Sequence, residues 1–127
     1  MGLDNGIVIK EKNMEKSPIP KRLQDKYDTF EIAYWRKCWG IRAYMIGFFT
    51  KKYGDPRQTR INVSDLPMII YIMKQFTKRK FWEEEADSIW TYDEFKSNQR
   101  LIVKRLKWLE RYMKKHPETE VYFYDSF

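Results

Sequence analysis

The stretch TYDEFKSNQRLIVKRLKWLERYMKK, residues 91–115, predicts the longest helix of the chain and with it the fold. Thr91 and Glu94 have the spacing of a capping box, in which each side chain accepts a hydrogen bond from the other residue's backbone N–H. Pro117 lies just beyond the last periodic residue and ends the helix. The helical spacing of apolar residues predicts a wide buried face: Phe95, Ile102, Leu106, Leu109 and Met113, with Leu101, Trp108 and Tyr112 on its flank.

Two shorter helices are predicted before this one. A helix over residues 40–53, ending before Gly54, is predicted by the spacing of Ile41, Tyr44, Met45 and Phe48. Ser64 is a favourable N-cap for the next helix. The apolar row of that helix is Leu66, Ile69, Ile70, Met73 and Phe76. Its C-terminal end is basic, which suits the negative end of the helix dipole.

Four short segments have the β-branched and aromatic content of strands. They are GIVIK at 6–10, TFEIAYW at 29–35, the segment 60–63, and EVYFYDSF at 120–127. Asp4-Asn5-Gly6, ahead of the first strand, has the composition of a turn. In the second strand, simple alternation predicts that Phe30, Ile32 and Tyr34 share one face, while the other face carries Glu31, Ala33 and Trp35.

The order β β α β α α β predicts an α+β fold, with a small, mainly antiparallel sheet of about four short strands. Three amphipathic helices are expected to pack mainly on one side of it. A chain of 127 residues is long enough for one ordinary core and too short for two, so residues 1–127 are expected to form a single domain. Residues 11–28 are rich in charge and show no period, which predicts a long charged loop within that domain.

The net charge of +7 favours anionic partners, such as nucleic acid, nucleotides or an acidic protein surface. The charge is segregated, because residues 96–115 are strongly basic while residues 83–94 contain six acids and no cation. No apolar run approaches the roughly 18 to 20 residues of a membrane span. Cys38 is the only cysteine, which fits a reducing compartment. We therefore expect a cytoplasmic protein with no membrane partner.

Little in the sequence predicts catalysis. Cys38 and His116 are the single cysteine and the single histidine, which leaves too little material for a zinc site or a nucleophile–histidine pair. No glycine-rich phosphate loop and no nucleophile elbow occurs. We expect a non-catalytic protein without cofactor or metal. The alternative is a metal-dependent activity at the acidic loop that contains Glu83, Glu84, Glu85 and Asp87.

The segment EIAYWRKCWGIR, residues 31–42, concentrates aromatic side chains and cations. One interpretation assigns Tyr34, Trp39 and Ile41 to the core at a strand-to-helix junction and leaves the cations in solvent. The other is a ligand site, in which a tryptophan stacks on a base and the cations contact phosphate. The residues of this predicted ligand site are Trp35, Arg36, Lys37, Trp39 and Arg42.

Five cations of the long helix step by four, three, four and three positions, so they form one stripe. This basic stripe consists of Arg100, Lys104, Lys107, Arg111 and Lys114. Such a stripe is either the solvated face of an amphipathic helix or a surface that neutralises phosphates. No helix-turn-helix, zinc-finger or RNA-binding signature accompanies it, so sequence-specific reading of bases is not predicted.

The segment WEEEADSIW, residues 82–90, places two tryptophans around four acids. Exposed tryptophans are frequent anchors of protein interfaces, and the acids suit a basic surface on a partner, such as a nucleic-acid channel. The predicted partner-binding residues are Trp82, Glu83, Glu84, Glu85, Asp87 and Trp90.

Four pieces of the chain resemble a group of small uncharacterised bacteriophage and prophage proteins: MGLDNGIVIK, EIAYWRKCWGIR, DSIWTYDE and VYFYDSF. The resemblance implies a bacterial host cytoplasm and an early or accessory phage role, a class in which inhibitors of host defence are common. It brings no catalytic residues with it.

With the charge distribution, this resemblance predicts a non-catalytic accessory protein that binds and inhibits a host protein, such as a defence protein. The alternative is a protein that binds or sequesters an anionic nucleotide or nucleic acid through aromatic stacking and Arg/Lys contacts.

Overall fold

The structure is a computed structural model that describes residues 4–10, 29–36, 38–53, 58–75 and 91–126. The strands are β1 (Asp4–Lys10), β2 (Thr29–Arg36), β3 (Gln58–Arg60) and β4 (Glu120–Ser126). The helices are α1 (Trp39–Tyr53), α2 (Leu66–Lys74) and α3 (Tyr92–Lys115), and a short 3₁₀ turn, Val63–Asp65, precedes α2. This order confirms the predicted α+β class. The predicted loop over residues 11–28 lies outside the described residues.

The strands form one antiparallel sheet in the order β2-β1-β4-β3. Strand β1 is central, and its Ile7 faces Ala33 of β2 on one side and Phe123 of β4 on the other. The first and last strands pair along their whole length, which ties the N-terminal and C-terminal segments together. The sheet is therefore built largely from contacts between residues that are distant in sequence.

Strand β2 contains a β-bulge opposite β1. Ile7 pairs with Ala33 but Val8 pairs with Glu31, so Ile32 is an extra residue on β2. A bulge interrupts the period of two and moves the following residues to the other face. The buried face of β2 therefore carries three side chains that pair with one face of β1: Phe30, Ala33 and Trp35. The simple alternation predicted for this strand is wrong for that reason.

The turn predicted at residues 4–6 is instead part of β1. Asp4 accepts a hydrogen bond from the Tyr34 hydroxyl of the neighbouring strand, at 2.8 Å. A Cβ on Gly6 would lie 2.5 Å from the ring of Tyr124, so glycine lets that ring lie against the strand. Asp4 and Gly6 are residue types typical of turns, but in this strand they accommodate Tyr34 of β2 and Tyr124 of β4.

Helix α3 begins with the predicted capping box. The Thr91 N–H donates to Glu94 Oε1 at 3.1 Å, and the Glu94 N–H donates to Thr91 Oγ1 at 3.2 Å. The predicted apolar face is buried, with every member at most 6% exposed: Phe95, Ile102, Leu106, Leu109 and Met113. Leu101 points away from this face and is 44% exposed.

Helix α1 packs through Ile41, Met45 and Phe49, which are fully buried. The ring of Phe49 stacks on Phe123 of β4, with the centroids 5.1 Å apart. Tyr44, predicted for the buried face, is 38% exposed. The predicted row is therefore right at Ile41 and Met45, but Phe49 rather than Phe48 continues it into the core.

The segment before α2 differs from its prediction. The Asn62 N–H donates to the Asp65 carboxylate at 2.9 Å, and this bond closes the 3₁₀ turn. The predicted short strand is present as β3, but it covers Gln58–Arg60 rather than residues 60–63. Asp65, which is 1% exposed, caps this region instead of Ser64.

The apolar residues of the three helices and of one sheet face form a single buried cluster. On the opposite face, Tyr34, Tyr122 and Tyr124 are partly exposed. The helices thus pack mainly on one side of the sheet, as predicted. In the part of the chain that the structure describes, no helix has both the length and the hydropathy that crossing a membrane requires.

Candidate functional site

Trp35 of the predicted ligand site is a core residue. Its side chain is fully buried, and its indole N–H donates to Gln99 Oε1 of α3 at 2.8 Å. The bulge at Ile32 turns this tryptophan to the inner face of the sheet. The prediction that Trp35 stacks on a ligand is therefore wrong.

Arg42 joins α1 to the last strand. Its Nε and Nη2 atoms donate to the two carboxylate oxygens of Asp125 at 2.9 and 2.8 Å, and the Asn5 amide donates to Asp125 as well. The Asp125 side chain is 5% exposed and that of Arg42 25%. A bidentate, partly buried pair of this kind fixes the packing of helix on sheet. The geometry gives no support to a phosphate contact by Arg42.

The other members of this predicted site are not brought together by the described residues. Arg36 is exposed at the end of β2. Lys37 and the Trp39 side chain lie outside the described part of the structure, so their roles stay predictions. The side chains of EIAYWRKCWGIR that the structure describes as buried therefore belong to the scaffold.

The predicted partner-binding residues Trp82, Glu83, Glu84, Glu85, Asp87 and Trp90 also lie outside the described residues, and so does the predicted acidic metal site. Within the described ranges, no three side chains from His, Cys, Asp and Glu are grouped to hold a metal ion.

The basic stripe of α3 lies on the surface. All five of its members are exposed: Arg100, Lys104, Lys107, Arg111 and Lys114. Among the described residues, the ion pair seen in this stripe joins Lys114 to Glu110 at 3.1 Å. The buried face of α3 is on the other side of the helix, so the cations point into solvent along a helix that is held firmly by its core.

Helix α2 extends this basic surface. It packs beside α3, and a groove of about 270 Å³ remains between the two helices. The groove is lined by Met73, Lys74, Lys96, Gln99, Arg100 and Val103. Among the residues that the structure describes, the three charged lining residues are all cations, and the floor is largely apolar. A groove with this lining suits a ligand that has anionic groups and an apolar part.

Lys74 of α2 and Lys107 of α3 are in contact across the two helices. The close approach of the Lys107 side chain, and then its positive charge, lower the pKa of Lys74 below its ordinary value. Two ammonium groups that lie close together repel each other. An anion placed between them would reduce the repulsion, so the pair is chemically suited to an anionic group.

The floor of the groove is fixed by a buried amide. Gln99 is 6% exposed, and its Oε1 accepts the Trp35 indole N–H while its Nε2 donates to the Met73 sulfur at 3.2 Å. These bonds tie β2, α2 and α3 together directly beneath the cations. Support of this kind fixes the backbones of α2 and α3 that carry Lys74 and Lys107.

Sequence reasoning identified the stripe but missed the groove. Lys74 was visible in the sequence as a cation at the end of α2, where the helix dipole gives a sufficient explanation for it. Its convergence with Lys96 and Arg100 depends on which faces of α2 and α3 meet. No periodic signal in either segment reports that arrangement.

Comparisons of the chain with protein families, with curated proteins and with solved structures find no match. Function is therefore inferred from the residues of the chain and their geometry.

Proposed function

We propose that this chain is a non-catalytic protein that binds the phosphate backbone of nucleic acid on the surface formed by α2 and α3. The observation that carries the proposal is the close approach of Lys74 and Lys107, beside a groove whose other charged lining residues, among those described, are Lys96 and Arg100. Opposite charges would be expected there if the contact served stability alone.

The sequence of charges along α3 supports the same conclusion. Residues three or four apart are neighbours on a helix surface, where like charges destabilise the helix and a Glu–Lys pair stabilises it. Arg100, Lys104, Lys107 and Arg111 make three successive like-charge steps of this type. A helix face that only contacts water gains nothing from successive like charges. An extended polyanion, in contrast, would be bound by them.

The dimensions favour a polymer over a free nucleotide. From Lys96 to Arg111 the helix rises about 22 Å, since each residue adds about 1.5 Å. At about 3.4 Å per nucleotide, the axial rise of one strand in B-DNA, that length spans about six to seven nucleotides. The groove, at about 270 Å³, is open and small, whereas pockets that enclose small molecules usually have roughly 300 to 1,000 Å³. The cations therefore fit a strand that runs along the helix.

The biological setting is part of the proposal. The resemblance to phage and prophage proteins supports a role in a bacterial cytoplasm, where masking a nucleic acid would serve an accessory or counter-defence protein. The absence of any base-reading signature in the sequence supports binding that is independent of base sequence.

The test is a pair of charge reversals measured by fluorescence anisotropy with labelled DNA and RNA. Lys107→Glu removes a phosphate contact, so we expect affinity at low salt to fall about tenfold and the salt dependence to lose about one unit of slope. Lys51→Glu, on an exposed position of α1, makes the same change in net charge and should have little effect.

Folding does not confound this test, because the carboxylate introduced by Lys107→Glu would attract Lys74, whereas the native ammonium group repels it. Thermal unfolding should therefore show that Lys107→Glu is at least as stable as the wild type. The proposal is abandoned if the wild type binds no nucleic acid at low salt, or if the two reversals weaken binding equally.

The second candidate is inhibition of a host protein through WEEEADSIW, which is supported by its two tryptophans around four acids. Replacing Glu83, Glu84 and Glu85 with Lys should then abolish capture of the host protein. The same replacement should leave nucleic-acid binding by α2 and α3 intact or strengthened, because it adds positive charge.

A further inference from the structure

Two large apolar side chains of α2 are exposed on the turns that precede Lys74, which lines the cationic groove. On α2, Tyr71 is 59% exposed and Met68 is 48% exposed, and they lie three and six residues before Lys74. Residues at this spacing are adjacent on the surface of a helix, with about 5 to 6 Å between Cβ atoms. Met68, Tyr71 and Lys74 therefore form a row in which an aromatic ring lies beside the phosphate position.

The Tyr71 ring is not part of the core formed by the described residues. Four buried residues of α2, among them Ile69, Ile70 and Met73, already provide its core face, and Tyr71 points away from them. Within the described residues, Tyr71 takes part in no ring stacking and no hydrogen bond. Tyr34, by contrast, is partly buried and bonded to Asp4. Tyr71 can thus present a face of its ring to a ligand without any rearrangement of the core.

A base can reach such a ring only if it is unpaired. In a duplex the bases are stacked and paired inside the helix, and a protein surface meets phosphates, sugars and groove edges. In a single strand the bases turn outward and stack on aromatic side chains, while cations track the backbone. A tyrosine beside lysines therefore distinguishes the two forms of nucleic acid.

We infer that the nucleic acid bound by this surface is single-stranded, with one base stacked on Tyr71 and an adjacent phosphate held between Lys74 and Lys107. This inference rests on the proposed function, because it names the form of the ligand at the same surface. Met68 extends the apolar platform along α2, and the Gln99 amide fixes the position of α2 against α3. The cations of α3 then follow the strand away from the stacked base.

The experiment compares three ligands of one length, about 12 nucleotides: a single strand, its duplex, and an abasic strand that keeps the phosphates and lacks the bases. With wild-type protein at about 50 mM salt, we expect the single strand to bind more tightly than either of the others. Tyr71→Leu should weaken single-strand binding roughly 5- to 100-fold and leave duplex and abasic binding unchanged.

Tyr71→Phe is the matched control, because it keeps the ring and loses only the hydroxyl group. It should retain single-strand affinity within about twofold, since stacking needs the aromatic face alone. Both substitutions are at an exposed position, and circular dichroism should show an unchanged fold.

Two adverse results have different meanings. Equal binding of all three ligands, with no effect of Tyr71→Leu, overturns single-strand selection and leaves backbone binding in place. Failure to bind any of the three at low salt overturns the proposed function and this inference with it.

Discussion

The β2–α1 segment and the surface of α2 and α3 contain similar side chains in opposite surroundings. In the first, the Trp35 indole bonds to Gln99 and the Arg42 guanidinium pairs with Asp125, so both groups serve the fold. In the second, Lys74 and Lys107 are exposed and meet each other. Composition says which ligands a segment suits, but burial and internal partners decide whether its groups are presented to them.

The energetic consequences also differ. Removing a group from the first region leaves a buried partner unsatisfied, which lowers stability. Removing Lys74 or Lys107 from the second region relieves repulsion, which leaves stability unchanged or higher. Substitutions in the two regions should therefore separate cleanly into those that change unfolding and those that change binding.

Arg42→Ala should have the largest effect on stability. It leaves the Asp125 carboxylate, which is 5% exposed, without its cation, and removing one partner of a buried pair typically costs about 3 to 5 kcal/mol. Because Arg42 is itself 25% exposed, we expect about 3 kcal/mol, measured by urea denaturation.

Arg36→Ala is the control for this substitution, since Arg36 is an exposed arginine at the end of β2, the strand that precedes α1. It should change stability by less than about 0.5 kcal/mol. If the two arginines proved equivalent in unfolding, Arg42 would have to be considered a ligand contact again, and the contrast between the two regions would fail.

Trp35→Phe should follow with a loss of about 2 kcal/mol. The smaller ring leaves part of the tryptophan volume empty, and the Gln99 carbonyl loses its buried donor. Nucleic-acid affinity of the folded protein, measured at low temperature, should stay within a fewfold of the wild type. A stable Trp35→Phe protein with strongly reduced affinity would instead restore Trp35 as a stacking residue.

The fold was predictable to the extent that periodic signals carry it. The capping box and apolar stripe of α3 follow from local spacing, and so do the number and order of elements. The bulge at Ile32 was not predictable, because a single extra residue leaves no mark on the composition of a strand. The start of β1 at Asp4 depends on Tyr34 and Tyr124, which are remote in sequence and adjacent only in the sheet.

The candidate site was predictable only in part, for a similar reason. The stripe on α3 is a property of one helix and can be read from its spacing. The groove requires Lys74 to meet residues of a second helix, and the exposure of Tyr71 follows from the rotation of α2 about its axis. Conversely, the density of aromatic residues in EIAYWRKCWGIR could not separate a ligand site from core packing, because both use the same residue types.

The smallest effect concerns Tyr34, a third aromatic residue of the β2–α1 segment. Burial, and then the hydrogen bond to Asp4, raise the pKa of Tyr34 from 10.0 to about 12. We expect the near-ultraviolet tyrosinate absorbance of native wild type minus native Tyr34→Phe to stay near zero up to about pH 11 and to rise with a midpoint near 12. In denaturant the midpoint should move to about 10.

The sign of the stability change follows from these two values. Between about pH 10 and 12 the unfolded tyrosine has lost its proton while the folded one keeps it, so the stability of the wild type falls as the pH rises through this range. Tyr34→Phe loses the bond to Asp4, about 1 kcal/mol at neutral pH, but it also loses this component of the alkaline decline. The free energies of unfolding of the two proteins should therefore converge above about pH 10. A difference midpoint near 10 in the native state would mean that Tyr34 is solvated, and that this part of the segment resembles the surface of α2 and α3 after all.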